Sequence, residues 1–222
     1  MIAESQFVRI LKLQAGKLGF ELKQSSLDRL SLFTEILLLW NQKIHLVSKA
    51  DATRARIARQ IVNSLLPLSY YEIPQASRLL DLGSGAGFPA LPMKIVRPDL
   101  NLVLSESSHK KTLHLESVIE QLRLGQVFLF DGRAEHLPPK YHNYFDYATA
   151  QASGKLDTIW TIVYPFLKTR ARLIAYKGRE VQKEIKRAEK SFGRLPGQID
   201  VVFQINLPEL DLGGYLVSVM KN

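Results

Sequence analysis

Cysteine is absent from all 222 residues, which excludes disulfides, cysteine–zinc sites, cysteine-ligated iron–sulfur clusters and a thiolate nucleophile. Long apolar runs are absent as well. Ile36 to Trp40 (ILLLW) is too short for a membrane span and sits within an amphipathic pattern. The first residues lack the basic, apolar and small-residue order of a signal peptide, so a soluble cytoplasmic chain without membrane contact is expected. Histidine is scarce. Its five copies (His45, His109, His114, His136 and His142) are scattered, and His109 with His114 misses the i, i+4 spacing of a helical metal pair. They read as surface or structural residues, and no metal site is expected. Acids are outnumbered, 21 to 30 basic residues, giving a formal charge of +9 that favours a polyanionic partner.

What is present is concentrated between residues 79 and 89, Leu-Leu-Asp-Leu-Gly-Ser-Gly-Ala-Gly-Phe-Pro. A short apolar run ends in Asp81, glycines follow at 83, 85 and 87, and a helical pattern opens near Pro89. Glycine lets the chain turn sharply and approach a ligand that a Cβ would exclude. The following helix is expected to point unpaired N–H groups at an anionic group, with Pro89 and Pro92 tolerated in its first turn. Strand, glycines and helix stand in the order a nucleotide-type ligand requires, which favours a binding site over a functionless turn. A dinucleotide fingerprint needs glycine where Phe88 stands, and no Gly-Lys-Ser/Thr phosphate loop is present.

With 46% hydrophobic composition, one α/β domain with a modest appendage is the natural size. Helical patterns are predicted from about residue 4 to 18, from Ser25 with Asp28 as a weak capping box, and from near Asp51 until Pro67 stops the third. The second carries Leu27, Leu30, Thr34, Leu37, Leu38 and Asn41 on its apolar stripe. The third places Ile57, Ile61 and Leu65 on one face. Pro74 marks the linker, dividing a helical cap at residues 1–74 from a core domain at residues 75–222. Strands are predicted at Arg78–Leu82, Leu100–Ser105, Val127–Phe130, Phe145–Ala150, Arg172–Tyr176, Ile199–Ile205 and Tyr215–Met220. Helices fill residues 88–96, 109–123, 156–167 and 179–191. This alternation implies βαβ units and a mainly parallel sheet. Gly213-Gly214 reads as the turn into a last strand that pairs antiparallel with its predecessor.

An Asp ending the first strand and then Gly-x-Gly-x-Gly resembles the S-adenosylmethionine (SAM) loop of Rossmann-like methyltransferases. Glu106 lies nineteen residues past Gly87, where a ribose-binding carboxylate belongs at the tip of the second strand. Coupled to the loop at that spacing, it reads as a ribose ligand rather than a solvated acid. Between Lys168 and Arg194 stand ten basic residues and three acids, with Lys183, Arg187, Lys190 and Arg194 at helical spacing. Such a stripe is read as a phosphate-contacting face or, equally, as a solvated one.

Several further pieces occur in a fixed order: Trp40-Asn41, Arg59-Gln60 to Leu65, Asp81 to Pro92, Arg97-Pro98, Lys110-Lys111, Gly132-Arg-Ala-Glu135 and Tyr176-Lys-Gly178. Together they resemble the GidB/RsmG family, which methylates N7 of a guanine in bacterial 16S rRNA with SAM, and the resemblance runs from about residue 25 to 200. It implies a Rossmann-like methyltransferase fold, with a mostly parallel seven-stranded sheet and an N-terminal helical cap. It implies SAM as methyl donor and the small ribosomal subunit or its rRNA as partner, with a monomer favoured. The cofactor site then comprises Gly83, Gly85, Gly87, Phe88, Glu106, Ala134, Glu135 and Gln151. From the residues alone, Ala134–Glu135 reads as a surface turn. Lys110, Lys111, Lys183, Arg187 and Lys190 are the candidate RNA contacts.

The chain also departs from the family pattern. Gln60 and Asn63 stand where the family usually has His and Asp, Gln151 where it has Arg, and Gly213-Gly214-Tyr215 where an Arg commonly precedes the last strand. Three of these exchange an ionisable group for a neutral amide, which removes charge-assisted contacts. The alternatives to the family's activity are a divergent member without turnover that binds RNA or the ribosome, and a methyltransferase with another substrate. Guanine N7 carries a free lone pair, so attack on a sulfonium methyl needs alignment and exclusion of water rather than a base, and no catalytic residue is assigned. An Asp/Asn-Pro-Pro-Tyr segment is missing; Pro-Pro occurs only in Leu137-Pro-Pro-Lys140.

Overall fold

Leu-, Val- and Phe-rich segments separated by helices suit a sheet buried on both faces. In the computed structural model, which describes residues 6–208 and 212–222, they form one seven-stranded sheet. Its strands are β1 (Arg78–Leu82), β2 (Asn101–Glu106), β3 (Val127–Asp131), β4 (Phe145–Gln151), β5 (Leu167–Lys177), β6 (Gly197–Leu207) and β7 (Leu212–Lys221). The order is β3-β2-β1-β4-β5-β7-β6. The first five pair in parallel, and β7 inserts antiparallel between β5 and β6. Winding reverses between β1 and β4, which opens a crevice at the carboxyl ends of those strands.

Seven α-helices are described: α1 (Gln6–Lys17), α2 (Gln24–Asn41), α3 (Arg54–Tyr70), α4 (Ala90–Val96), α5 (His109–Gln121), α6 (Leu156–Val163) and α7 (Val181–Ser191). Side chains alternate across the strands. Leu79, Leu102, Leu104 and Ile174 pack with α1 to α5, whereas Leu80, Leu82, Val103, Leu173 and Ala175 pack with α6 and α7. The three N-terminal helices therefore share a core with one sheet face. None of the described helices is long and apolar enough to cross a membrane.

Several local expectations are corrected, each for a physical reason. Residues 4 and 5 of the first predicted helix lie outside the described residues. The capping box at Ser25 does not form: α2 starts from an extended Lys23 without a side-chain cap, and Asp28 accepts from Gln24 Nε2 at 2.8 Å. The third helix starts at Arg54, capped by Thr53, whose side chain accepts from Arg56 N–H, and it runs through Pro67 to Tyr70. The proline is tolerated because a donor from another element replaces the lost one, as described below. The helix predicted to reach residue 167 ends at Val163, just before Pro165, and β5 begins at Leu167 rather than at Arg172. Gly213 and Gly214 are not a turn but part of β7, paired with Asn206 and Ile205. Gly214 takes φ +133°, and a Cβ there would lie 2.6 Å from the Lys177 carbonyl oxygen, so close backbone approach is what requires glycine.

Candidate functional site

The carboxyl end of β1 delivers Asp81 and then the glycine turn. Gly83, Gly85 and Gly87 all adopt positive φ (+69°, +53° and +96°), a region where a Cβ is strained. At Gly83 a Cβ would come within 3.0 Å of Ser153 Oγ, and at Gly87 within 2.6 Å of Leu91 Cδ1. The turn is fastened to β2 by Gly83 N–H and Ser84 N–H, which donate to Ser105 O at 2.9 and 3.1 Å. Glu106, at the tip of β2, completes the fastening. Its two carboxylate oxygens accept from Gly85 N–H and Ser108 N–H, both at 2.8 Å.

The helix after the loop contributes less than expected. Leu91 N–H bonds to Gly87 O, and Pro92 has no N–H. The start of α4 therefore does not present the row of free donors that an anion would use.

Two adjoining clefts open at the strand tips. One, of about 300 Å³, is lined by Gly83, Glu106, Lys111, Gly132, Ala134, Glu135 and Ile162 among others. Its neighbour, of about 280 Å³, lies between the glycine turn and the helical layer and is lined by Ser48, Asp51, Ile57, Gln60, Gly85, Phe88, Lys111 and Gln151. Gly83, Lys111 and Ala152 belong to both clefts. Asn41 shapes the second cleft at a distance: its side-chain oxygen accepts from Leu46 N–H and Val47 N–H, both at 2.9 Å, and so folds the loop that carries Ser48 and Asp51.

Electrostatics beneath the turn are dominated by Asp81, which is fully buried. Burial pushes its carboxyl up to about 7, against a hydrogen bond from Thr149 and with the Glu106 charge adding to the rise. Thr149 Oγ1 donates to Asp81 Oδ1 at 2.6 Å, while Oδ2 has no partner among the described residues. His114 is also a core residue. Burial pushes it down to about 4, and its Nε2 lies 3.4 Å from Ala86 O.

The sequence candidates divide into two groups. Gly83, Glu106, Ala134 and Glu135 meet in the first cleft, with Gly85, Phe88 and Gln151 in the second; Gly87 lies in the turn, where a Cβ would collide with Leu91. The Gly132–Glu135 segment is positioned by Gly132 N–H, which donates to Glu106 O at 2.8 Å. Lys111 faces both clefts, whereas Lys110 is exposed outside them. Lys183, Arg187 and Lys190 lie on the exposed side of α7, away from the clefts; Lys183 pairs with Glu180 and Arg187 with Asp157. Gln60 and Gln151, noticed in the sequence as separate departures, touch: Gln151 Nε2 donates to Gln60 Oε1 at 3.3 Å. Ser48, Asp51 and Ser153 were not singled out from the sequence. Ser153 Oγ donates to Leu82 O at 2.7 Å and braces the first glycine, a role without a local sequence signal.

The family model described as "GidB: rRNA small subunit methyltransferase G" matches residues 26–205. A protein of Thermoanaerobacter sp. (strain X514) named ribosomal RNA small subunit methyltransferase G is 32% identical over 220 residues, covering 98% of this chain and 91% of its own. A protein of the same name from Roseiflexus castenholzii is 34% identical, covering 90% and 86%. Among solved structures, M. jannaschii TYW2 in complex with AdoMet superposes with a TM-score of 0.56 at 13% identity, covering 73% of this chain and 75% of that one. TrmN from Thermus thermophilus gives a TM-score of 0.55 at 16% identity, covering 73% and 49%. At these identities the structural likenesses speak to the fold.

Proposed function

The chain belongs to the rRNA small subunit methyltransferase G (GidB) family, and from that premise we propose that it transfers a methyl group from SAM to guanine N7 in 16S rRNA of the small ribosomal subunit. It is an rRNA methyltransferase of Rossmann-like fold with SAM as methyl donor. The observation that carries this reading is the glycine turn held on Glu106 at the point where the sheet reverses its winding. The fit to SAM is specific. The positive-φ glycines keep the turn clear of side chains, the Glu106 carboxylate suits a ribose diol, and buried Ala134 with Ile162 offers an apolar bed for an adenine.

Bound SAM supplies an electrophilic methyl on sulfur. The protein's share is to orient and to exclude water. Glu106 and the Ala134–Glu135 turn hold the nucleoside end, while Phe88, Ile57, Gln60 and Gln151 wall the chamber in which the base meets the methyl. No proton need be removed from N7, which agrees with a cleft that needs no general base. Gln60 and Gln151 both line the second chamber, and Asn63 stands three residues beyond Gln60 on α3. Gln60 and Gln151, the latter expected from the resemblance in the cofactor site, therefore stand on the substrate side, and the turn and Glu106 are intact, which favours a working enzyme over a binding protein. Lys111 at the junction of the clefts and the α7 cations Lys183, Arg187 and Lys190 supply contacts for RNA phosphates, with Lys110 beside them. The same reading treats residues 1–74 as a cap on a methyltransferase domain of residues 75–222, in a cytoplasmic monomer.

The test is calorimetry of SAM with the wild type and with Glu106→Ala. Submicromolar to micromolar binding by the wild type, weakened by roughly 1–3 kcal/mol in the variant through loss of charge-assisted hydrogen bonds, supports the site. Equal affinity in both proteins removes Glu106 from it.

A further inference from the structure

Residue 67 of α3 is a proline, so the helix lacks the N–H that would reach the carbonyl four residues back, that of Asn63. Asn63 is buried, and a buried carbonyl without a donor is costly. The donor comes from the sheet: Tyr176 Oη, near the tip of β5, donates to Asn63 O at 3.1 Å and lies 3.5 Å from Ser64 O. The bond does more than satisfy an orphan, because it joins α3 to β5 across 113 residues of sequence.

Its position is what gives it a consequence. Tyr176 is the register partner of Gln151 on the neighbouring strand β4. Gln151 in turn meets Gln60, which stands on α3 less than one turn before Asn63. Two adjacent residues at the strand tips thus reach the same helix, Tyr176 to its backbone and Gln151 to a side chain.

From this arrangement we propose that Tyr176 is a positioning residue, whose hydroxyl holds α3 against β5 and so sets the separation of Gln60 and Gln151 across the substrate chamber. That the chamber receives the target base rests on the methyltransferase reading above; the tether itself does not.

The test separates carbonyl satisfaction from positioning. Tyr176→Phe removes the hydroxyl, and Pro67→Ala restores an in-helix N–H for Asn63 O. Pro67→Ala alone keeps wild-type turnover. Tyr176→Phe lowers the melting temperature and lowers kcat on undermethylated small subunits about tenfold, the scale expected of a small misalignment, with KM for SAM unchanged. The double variant Tyr176→Phe/Pro67→Ala regains the melting temperature but not kcat. In parallel, NMR contacts between the side-chain amides of Gln60 and Gln151 are present in the wild type and weakened in both Phe variants. Full recovery of kcat in the double variant, or wild-type kcat in Tyr176→Phe, overturns the proposal, as do unchanged Gln60–Gln151 contacts. If the wild type itself transfers no methyl group, the functional reading fails and the amide contacts alone decide the tether.

Discussion

Asp81 shows how a single residue is forced into an unusual state by its place in the sheet. Its carboxyl is raised from 3.8 to about 7 by burial in the folded chain. Between those two values the folded protein keeps a proton that the unfolded chain has released, so stability falls as pH rises through that window. Above the folded value the ionised carboxylate bears its full burial penalty. Asp81→Asn removes the titration, so the melting temperature of the variant minus that of the wild type should grow from acid pH to its largest value above pH 7. A difference independent of pH, measured by thermal melts across this range, contradicts the assignment. Glu106, by contrast, meets backbone donors: each of its carboxylate oxygens accepts one N–H and keeps a further lone pair for a ligand. Its position at the tip of β2 was legible from spacing, because the distance from a glycine turn to the next strand tip is fixed by one βα unit. The meeting of Gln60 with Gln151 was not legible, since 91 residues separate them and neither segment records the crossing of α3 over the strand tips.

The glycine turn and its neighbours set how far single elements can be read. Periodicity located each strand and helix, but their ends depend on tertiary partners. Pro67 looks like a stop locally, and only the Tyr176 hydroxyl makes it an interior helix residue. Gly213-Gly214 looks like a turn, and only the nearby Lys177 carbonyl shows why a strand needs glycine there. Within the loop the three glycines are not equivalent. A Cβ at Gly87 meets Leu91 Cδ1 at 2.6 Å, whereas one at Gly85 has Gly83 O as its nearest neighbour at 3.7 Å. Gly87→Ala should therefore destabilise the fold by about 1–3 kcal/mol and by more than Gly85→Ala, whose cost is backbone strain alone. Denaturant titration of the two variants checks the order; equal losses mean that φ and not packing governs the turn.

At the scale of the whole molecule, a mainly parallel sheet and an antiparallel final pair were implied by the alternating strands and helices, while the strand order, with its reversal between β1 and β4 and the insertion of β7 between β5 and β6, was not. The surplus of positive charge was plain from composition, but its distribution depends on the fold. The cations of α7 lie outside the clefts, where two of the three named are tied to acids. If they hold RNA phosphates, neutralising Lys183, Arg187 and Lys190 together should weaken RNA binding and lower the slope of log affinity against log salt by roughly 0.7–0.9 per lost contact, with SAM affinity untouched. An unchanged slope makes α7 a solvated face. If these clefts align guanine N7 of 16S rRNA with the methyl of SAM, the product carries 7-methylguanosine. The decisive measurement incubates the wild-type protein and SAM with small subunits from cells that lack this methylation, then cleaves the rRNA with borohydride and aniline, which break the chain at 7-methylguanosine. One new SAM-dependent cleavage, at a single guanine of 16S rRNA, is the expected result; a protein that binds SAM yet produces no new cleavage does not methylate N7 there.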